Sequence, residues 1–219
     1  HDVYHRDIKP ENLLVNDDHA LRLCDFGLAT SAPRDSKSAP LTDYVATRWY
    51  RAPELLLGST SYAPSVDEWA VGCILGELAQ GSPAFAGDSD IDQLHLIQSA
   101  LGPLTASQHE LFMANPKYAG LKFADMSRPA GLHVMFGGHL PLVAVSCLSR
   151  LLTLEPADRS AAADLTSHRW FDGVIDPSEP SERAEAEMAP PVARGAAAAM
   201  TDGAVPQVES VPDARGAAV

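Results

Sequence analysis

Apolar residues in the middle of this chain recur with the 3.6-residue period of an α-helix. One run covers residues 66–78 and stops at Gly81, and a second covers 91–101. A third, at 142–154, is apolar on nearly every side, so a buried helix is expected there. Residues 160–171 are expected to form a fourth helix, capped by the serine at its start. The pattern predicts a mostly α fold.

Other stretches depart from this helical period. Apolar runs at 13–15 and 21–24 flank Asn, Asp and Asp at 16–18, which predicts one short β-hairpin. Residues 25–64 show no periodicity, and so long a stretch inside a compact domain is usually functional. Residues 103–138 are also expected to be irregular.

The end of the chain has a different composition from the rest. Residues 173–219 are rich in Ala, Pro and acidic residues and contain no aromatic side chain. Such a segment buries too little apolar surface to offset its ordering entropy. We therefore expect a folded domain over residues 1–172 and a disordered acidic tail over 173–219.

Charge and cysteine content exclude several kinds of partner. The 219 residues hold 29 acidic against 16 basic side chains, a formal charge of −13. Nucleic acid and anionic membranes need a basic face, so neither is an expected partner. No apolar run approaches the length of a bilayer span. Three cysteines stand far apart without zinc spacing, which favours a reducing, intracellular compartment.

The candidate chemistry lies near the N-terminus. Within His5–Asn12, Asp7, Lys9 and Asn12 supply a carboxylate, an ammonium and a carboxamide. Asp25 begins an Asp-Phe-Gly sequence eighteen residues after Asp7, beyond the predicted hairpin. Phosphoryl transfer needs such a set: a base for the attacking hydroxyl, a cation beside the phosphoryl group, and oxygen ligands for Mg²⁺.

These motifs resemble those of a protein kinase over residues 1–172. The segment His5–Asn12 resembles the catalytic loop, and 25–27 the magnesium motif. Ala52-Pro53-Glu54 resembles the end of the activation segment. The resemblance implies the C-terminal lobe of a kinase fold and the use of ATP and Mg²⁺.

The resemblance also implies individual roles. Asp7 is implied as the catalytic base, and Lys9 as a contact of the γ-phosphate. Asn12 and Asp25 are implied as magnesium ligands. The residues implied to border the ribose and adenine are Glu11 and Leu14.

Four further residues have implied positioning roles. Thr47 would tie the catalytic side chains to the peptide-binding segment, and Asp67 would anchor the backbone of the catalytic loop. Glu54 would pair with Arg159, the only ion pair expected to be buried.

A subgroup can be distinguished within the family. Residues 42–54 carry the Thr-x-Tyr and Thr-Arg-Trp-Tyr-Arg pattern of cyclin-dependent and mitogen-activated kinases. The Asp between Thr42 and Tyr44, with Ser-Asp-Ile-Asp-Gln-Leu at 89–94, is most similar to the cyclin-dependent-kinase-like family. Lys9 implies transfer to Ser or Thr of protein substrates, and 103–138 would be the insert of this group.

Thr42 and Tyr44 are the expected phosphorylation sites, modified by an upstream kinase or by autophosphorylation. Phosphate pairs bidentately with arginine. The expected receivers are Arg6, Arg48 and Arg51.

Two positions depart from the family pattern. Thr30 stands where related kinases usually carry an arginine that helps to bind phosphate. Glu68 follows Asp67 where a hydrophobic residue is usual, and its side chain is expected to point to solvent.

The chain contains no Gly-rich phosphate loop and no strand lysine of the kinase N-terminal lobe. We therefore expect a fragment that lacks this lobe and is inactive by itself. The alternative is a truncated, non-catalytic kinase lobe that acts as a binding scaffold. The resemblance implies the cytoplasm or nucleus as location and also points to a cilium or flagellum.

Overall fold

The computed structural model describes residues 3–31, 45–59 and 63–174. No helix in these ranges is long and apolar enough to cross a membrane. The predicted tail boundary lies next to the end of the described part, and the rest of the tail lies outside it. The α-helices within the described ranges are α1 (Pro53–Leu56), α2 (Ser65–Gln80), α3 (Asp90–Leu101), α4 (Ala106–Ala114), α5 (Leu132–Phe136), α6 (Leu142–Leu151) and α7 (Ala162–Leu165).

Within the described ranges, four short strands form two antiparallel pairs. The predicted hairpin is present: β2 (Leu13–Val15) pairs with β3 (Leu21–Leu23). A second pair was not predicted, and joins β1 (Val3–Tyr4) to β4 (Thr30–Ser31). Two-residue strands are too short to leave an alternating pattern in the sequence. This second pair places the start of the catalytic loop beside the chain that follows the Asp-Phe-Gly motif.

Helix α2 is the centre of the core. Trp69 is fully buried in its first half, and the helix packs against α5, α6 and a 3₁₀ turn at Val45–Tyr50. The helix ends one residue before Gly81, as predicted. Gly81 has a φ of +77°, and its N–H donates to the carbonyl of Glu77 at 2.7 Å. Glycine adopts this left-handed conformation without the penalty of a Cβ atom.

The second predicted helix is α3, and the third is α6. Helix α6 ends at Leu151, three residues before the expected end. The expectation that it is buried all round is wrong, because Leu142 is 73% exposed while Leu148 is fully buried. The faces toward α2, α5 and the 3₁₀ turn at Arg169–Phe171 are covered, whereas the remaining apolar residues of the helix meet solvent.

Residues 103–138 are more regular than expected. Helix α4 begins with a capping box: Gln108 N–H donates to Thr105 Oγ1, and Thr105 N–H donates to Gln108 Oε1. The Thr-x-x-Gln sequence is a known signal for such a start and could have revealed this helix. Gln108 Nε2 also donates to the carbonyl of Leu154 at 2.6 Å, which ties α4 to the chain after α6.

The fourth predicted helix is only partly present, and its expected cap is wrong. Helix α7 covers four residues, and a separate 3₁₀ turn follows at Arg169–Phe171. Ser160 does not cap α7; Glu68 Oε1 instead accepts the N–H of Ala162 at 3.0 Å. Glu68 is therefore half-buried against α7 and does not point to solvent as expected.

Candidate active site

Asp7 is the centre of the loop between β1 and β2. It is 7% exposed, and its Oδ2 lies 2.8 Å from Lys9 Nζ. Asn12 Nδ2 donates to the Asp7 carbonyl at 2.8 Å and to Oδ2 at 3.3 Å. A 3₁₀ turn at Pro10–Asn12 brings the carboxamide back toward Asp7. Among the described residues, nothing donates a hydrogen bond to Asp7 Oδ1, although this atom is buried.

Asp67, in the first turn of α2, holds the backbone of this loop. Its Oδ2 accepts the N–H of His5 and its Oδ1 that of Arg6, both at 2.7 Å. Burial raises the pKa of Asp67 above its ordinary value, although the two N–H donors act in the opposite direction. Arg6 has a φ of +64°, which is unfavourable for a residue with a Cβ atom. The two hydrogen bonds offset this strain.

His5 is a structural residue of the site. The N–H of Asp7 donates to His5 Nδ1 at 3.3 Å, so His5 Nε2 carries the proton and donates to the Cys24 carbonyl at 2.9 Å. The ring also meets Phe26 edge-on, with centroids 4.8 Å apart. His5 thereby connects the catalytic loop to the Asp-Phe-Gly segment.

Asp25 lies beside the same loop, with an exposed side chain. The N–H of Cys24 donates to the Asn12 carbonyl at 2.9 Å. Because Asp25 directly follows Cys24, this hydrogen bond holds Asp25 near Asn12. Asp25 has a φ of +62°, and its Oδ1 accepts the N–H of Gly27 at 3.3 Å. Because the Asn12 nitrogen faces Asp7, its amide oxygen is the atom left for a ligand. A carboxylate and a carboxamide oxygen suit Mg²⁺ as hard donors.

Glu11 and Leu14 both have exposed side chains next to this loop. Thr42 and Tyr44, the expected phosphorylation sites, lie outside the described residues. The same holds for the side chain of Thr47.

The expected phosphate-receiving arginines are in different situations. Arg6 Nε donates to the Leu28 carbonyl at 2.6 Å. Arg51 is buried. Arg48 is also buried, and its Nε lies 2.7 Å from Asp90 Oδ1. In the unphosphorylated chain the Asp90 carboxylate thus pairs with Nε of Arg48, and the role of Arg48 as a phosphate receiver stays a prediction.

The expected pair of Glu54 and Arg159 is present and bidentate. Arg159 Nη1 lies 2.9 Å from Glu54 Oε1, and Nη2 donates to Oε2 at 3.2 Å. Arg159 also donates to the carbonyl of Ser65 at 2.6 Å and lies 5.1 Å from the ring centroid of Trp69. The expectation that no other ion pair is buried is wrong, since Arg48 and Asp90 form a second one.

The sequence interpretation missed Asp90 and Lys117. Asp90 Oδ2 lies 2.6 Å from Lys117 Nζ, so one carboxylate serves two cations. Burial alone raises the pKa of Asp90, but the hydrogen bonds and charges of Lys117 and Arg48 outweigh this effect and hold it below its ordinary value. Asp90 is 27 positions from Lys117 and 42 positions from Arg48, so no local sequence pattern connects them.

Comparison with known proteins agrees with the motifs. Residues 1–171 match the family described as protein kinase domain. Cyclin-dependent kinase-like 5 of Homo sapiens is 49% identical over 170 residues, which are 78% of this chain and 18% of that protein. Cyclin-dependent kinase-like 2 of Rattus norvegicus is 44% identical over 180 residues, or 80% of this chain and 35% of that protein. The mitogen-activated protein kinase MKC1 of Candida albicans is 42% identical over 183 residues, 83% of this chain and 36% of that protein. The chain thus spans between about a fifth and about a third of the length of these relatives.

Proposed function

Because this chain belongs to the protein kinase family, we propose that its catalytic loop transfers the γ-phosphoryl group of ATP to a serine or threonine hydroxyl of a protein. The observation that carries the proposal is the state of the Asp7 carboxylate. Lys9 and Asn12 occupy Oδ2, while Oδ1 accepts no hydrogen bond from any described residue. A buried carboxylate oxygen in this state lacks a hydrogen-bond donor, which an acceptor hydroxyl would supply.

The residues of this chain act by positioning and charge. Asp7 Oδ1 orients the acceptor hydroxyl and takes its proton as the new oxygen–phosphorus bond forms and the bond to the oxygen of the leaving ADP breaks. Lys9 holds the other carboxylate oxygen and brings positive charge beside the transferred group. Asp67 and His5 keep the loop backbone fixed, so little reorganisation is needed during the reaction.

The nucleotide and its metal are proposed to lie on the side of Asn12 and Asp25. Asn12 Oδ1 and the carboxylate of Asp25 would hold Mg²⁺, which neutralises charge on the phosphates. Glu11 and Leu14 would border the ribose and the adenine, and Lys9 would contact the γ-phosphate. Thr47 would join this loop to the peptide-binding segment.

We further propose that residues 1–172 are the C-terminal lobe of a kinase and that 173–219 are a disordered tail. No Gly-x-Gly-x-x-Gly motif occurs within residues 1–219. This chain alone should therefore hold ATP on one side only. We expect its turnover to stay below about 0.1 per second, against about 1–100 per second for kinases in general.

The regulatory partners are part of the same proposal. An upstream kinase, or the protein itself, would phosphorylate Thr42 and Tyr44, and Arg6, Arg48 and Arg51 stay candidates for receiving phosphate. Each charge-assisted phosphate–arginine contact helps to order a loop.

Single-turnover phosphoryl transfer by the full-length protein that contains this sequence tests the function. Asp7→Asn should lower the rate by about 10²–10⁴-fold, the usual contribution of a general base. Asp17→Asn, in the exposed turn between β2 and β3, is the matched control and should keep the wild-type rate. A wild-type rate for Asp7→Asn would show that this carboxylate is not the base.

A second candidate function is that of a binding scaffold, and an exposed apolar surface favours it. Val15 and Phe26 are 65% and 55% exposed. Val3, Leu14 and Leu21 are also exposed large apolar residues of this N-terminal part. Exposed apolar side chains promote association where they are contiguous. Sedimentation of the 219-residue chain and of a Val15→Ser variant tests association through these side chains: the wild type should associate and the variant less so, whereas a wild-type monomer at high concentration would contradict it.

A further inference from the structure

The 3₁₀ turn at Val45–Tyr50 is attached to the start of α3 by side chains from both segments. Arg48 Nε pairs with Asp90 Oδ1 at 2.7 Å, and Arg48 Nη1 donates to the Asp88 carbonyl at 3.3 Å. Trp49 Nε1 donates to the Gly87 carbonyl at 3.2 Å. Gln93 Nε2 donates to the Trp49 carbonyl at 3.3 Å. Arg48 and Trp49 of the turn are therefore both held by one segment, residues 87–93, which we call the platform.

The platform itself has little freedom to move. Gly87 N–H donates to Gln93 Oε1 at 2.8 Å. A Cβ atom at position 87 would lie only 2.5 Å from the backbone nitrogen of Gln93, so any other residue would displace the chain there. The fully buried Gln93 uses one end of its amide on the platform and the other on the turn. The distance between turn and platform is thus set by one rigid side chain.

Each buried charge of this contact already has a partner of opposite sign. Arg48 and Asp90 are each 8% exposed, and burying either charge without the other would be costly. Lys117 Nζ takes the second oxygen of Asp90 from the solvent side, since its own side chain is half exposed. The guanidinium of Arg48 therefore has a permanent anion from within the fold.

We propose that Asp90 is a positioning residue for the acceptor side of the reaction, a built-in counter-ion that keeps Arg48 and the Val45–Tyr50 turn in place without a phosphate on the preceding segment. This inference rests on the proposed kinase function, because the turn contains Thr47, which is implied to tie the catalytic side chains to the peptide-binding segment. A carboxylate and a phosphate are alternative partners for one guanidinium. Asp90 therefore fulfils at Arg48 the role expected of a phosphorylated side chain.

Amide hydrogen exchange of the unphosphorylated 219-residue chain tests the positioning without any catalysis. Asp90→Asn should raise exchange at residues 48–51, and of the Trp49 indole N–H, about tenfold or more, while α6 stays protected. Asp92→Asn is the matched control: it changes the same residue type two residues along α3, and among the described residues the Asp92 carboxylate accepts a hydrogen bond only from Asp88 N–H. Arg48→Gln is the second variant, because Lys117 still balances Asp90 there and the chain should fold; it should show the same local increase.

Steady-state kinetics of the full-length protein complete the test. Asp90→Asn should raise KM for an acceptor peptide about tenfold and leave KM for ATP unchanged, which a general loss of stability would not produce. Exchange at 48–51 within about twofold of wild type in both variants would overturn the proposal, and so would an equal increase in every helix. If the variants show the expected local increase in exchange but the full-length protein transfers no phosphoryl group, the positioning role of Asp90 stands and the proposed function is contradicted.

Discussion

The Asp67 carboxylate accepts the backbone N–H of Arg6 at 2.7 Å and thereby stabilises a left-handed conformation that Arg6 would otherwise avoid. The contact joins α2 to the catalytic loop across 61 residues. The conformation of the loop, and with it the direction of Asp7, therefore depends on a helix far along the chain.

Asp67→Ala should destabilise the fold and release this loop. Two buried backbone N–H groups would lose their acceptor, which costs about 1–3 kcal/mol for each unsatisfied group. Equilibrium urea unfolding measures the loss. Asp164→Ala, at an exposed position in α7, is the control and should change the free energy of unfolding by less than about 0.5 kcal/mol. Equal effects of the two substitutions would show that Asp67 does not hold the loop.

Glu54 and Arg159 should behave as a coupled pair. Either Glu54→Gln or Arg159→Met leaves one buried charge uncompensated, and we expect a loss of about 3–5 kcal/mol from each. The double variant removes both charges, so its loss should be clearly smaller than the sum. A double-mutant cycle from urea unfolding gives the coupling free energy. Additive losses would mean that the bidentate contact contributes nothing.

The contribution of Glu68 to the free energy of unfolding should fall as the pH rises through the mildly acidic range. Burial is the largest cause of its raised pKa in the folded chain. A raised pKa means that the folded state holds the proton more tightly than the unfolded state does. The contribution of protonated Glu68 to stability is therefore complete below the pKa of the unfolded state. It is lost as pH rises through the pKa of the folded state. The free-energy difference between wild type and Glu68→Gln, measured by urea unfolding from pH 3.5 to 7, should therefore fall with pH. A difference that is constant with pH would contradict a buried carboxyl group.

Asp90 should show the opposite dependence on pH. Its pKa is lowered in the fold because the contacts with Lys117 and Arg48 outweigh its burial. A lowered pKa gives stability that is present above the unfolded pKa, about 3.9, and is lost as pH falls through the folded value. Relative to Asp90→Asn, wild type should lose its advantage only below about pH 4. Lys117→Ala should reduce that advantage, and an unchanged profile in this variant would mean that Lys117 has no part in it.

Substitutions of Asp7 and Asp25 should affect ATP affinity and turnover differently in the full-length protein. Asp25→Asn removes a charged oxygen ligand and should weaken the affinity for Mg-ATP, whereas Asp7→Asn should leave it nearly unchanged and lower turnover by about 10²–10⁴-fold. Isothermal titration with a non-hydrolysable ATP analogue and Mg²⁺ gives both affinities. Equal losses of affinity would show that the two carboxylates do not have separate roles.

Much of the fold could be predicted where the signal is local. The helices at 65–80 and 90–101 have clear apolar periods and glycine stops, and both are present. Helix α4 also had a local signal, its capping box, which was overlooked because the apolar period around it is weak. Helix α7 could not be predicted correctly, because its first N–H is satisfied by Glu68 from 94 residues away instead of by the nearby Ser160.

The sequence by itself determined which groups are available: Asp7, Lys9 and Asn12 lie within six residues, and a short turn between two strands is enough to bring them together. The tertiary structure alone decided which anion Arg48 meets. A guanidinium donates hydrogen bonds to either a phosphate or a carboxylate, so its partner depends on which anion the fold brings within reach. Here the start of α3 brings Asp90 to 2.7 Å, a contact between residues 42 positions apart that only the packing of the helices creates.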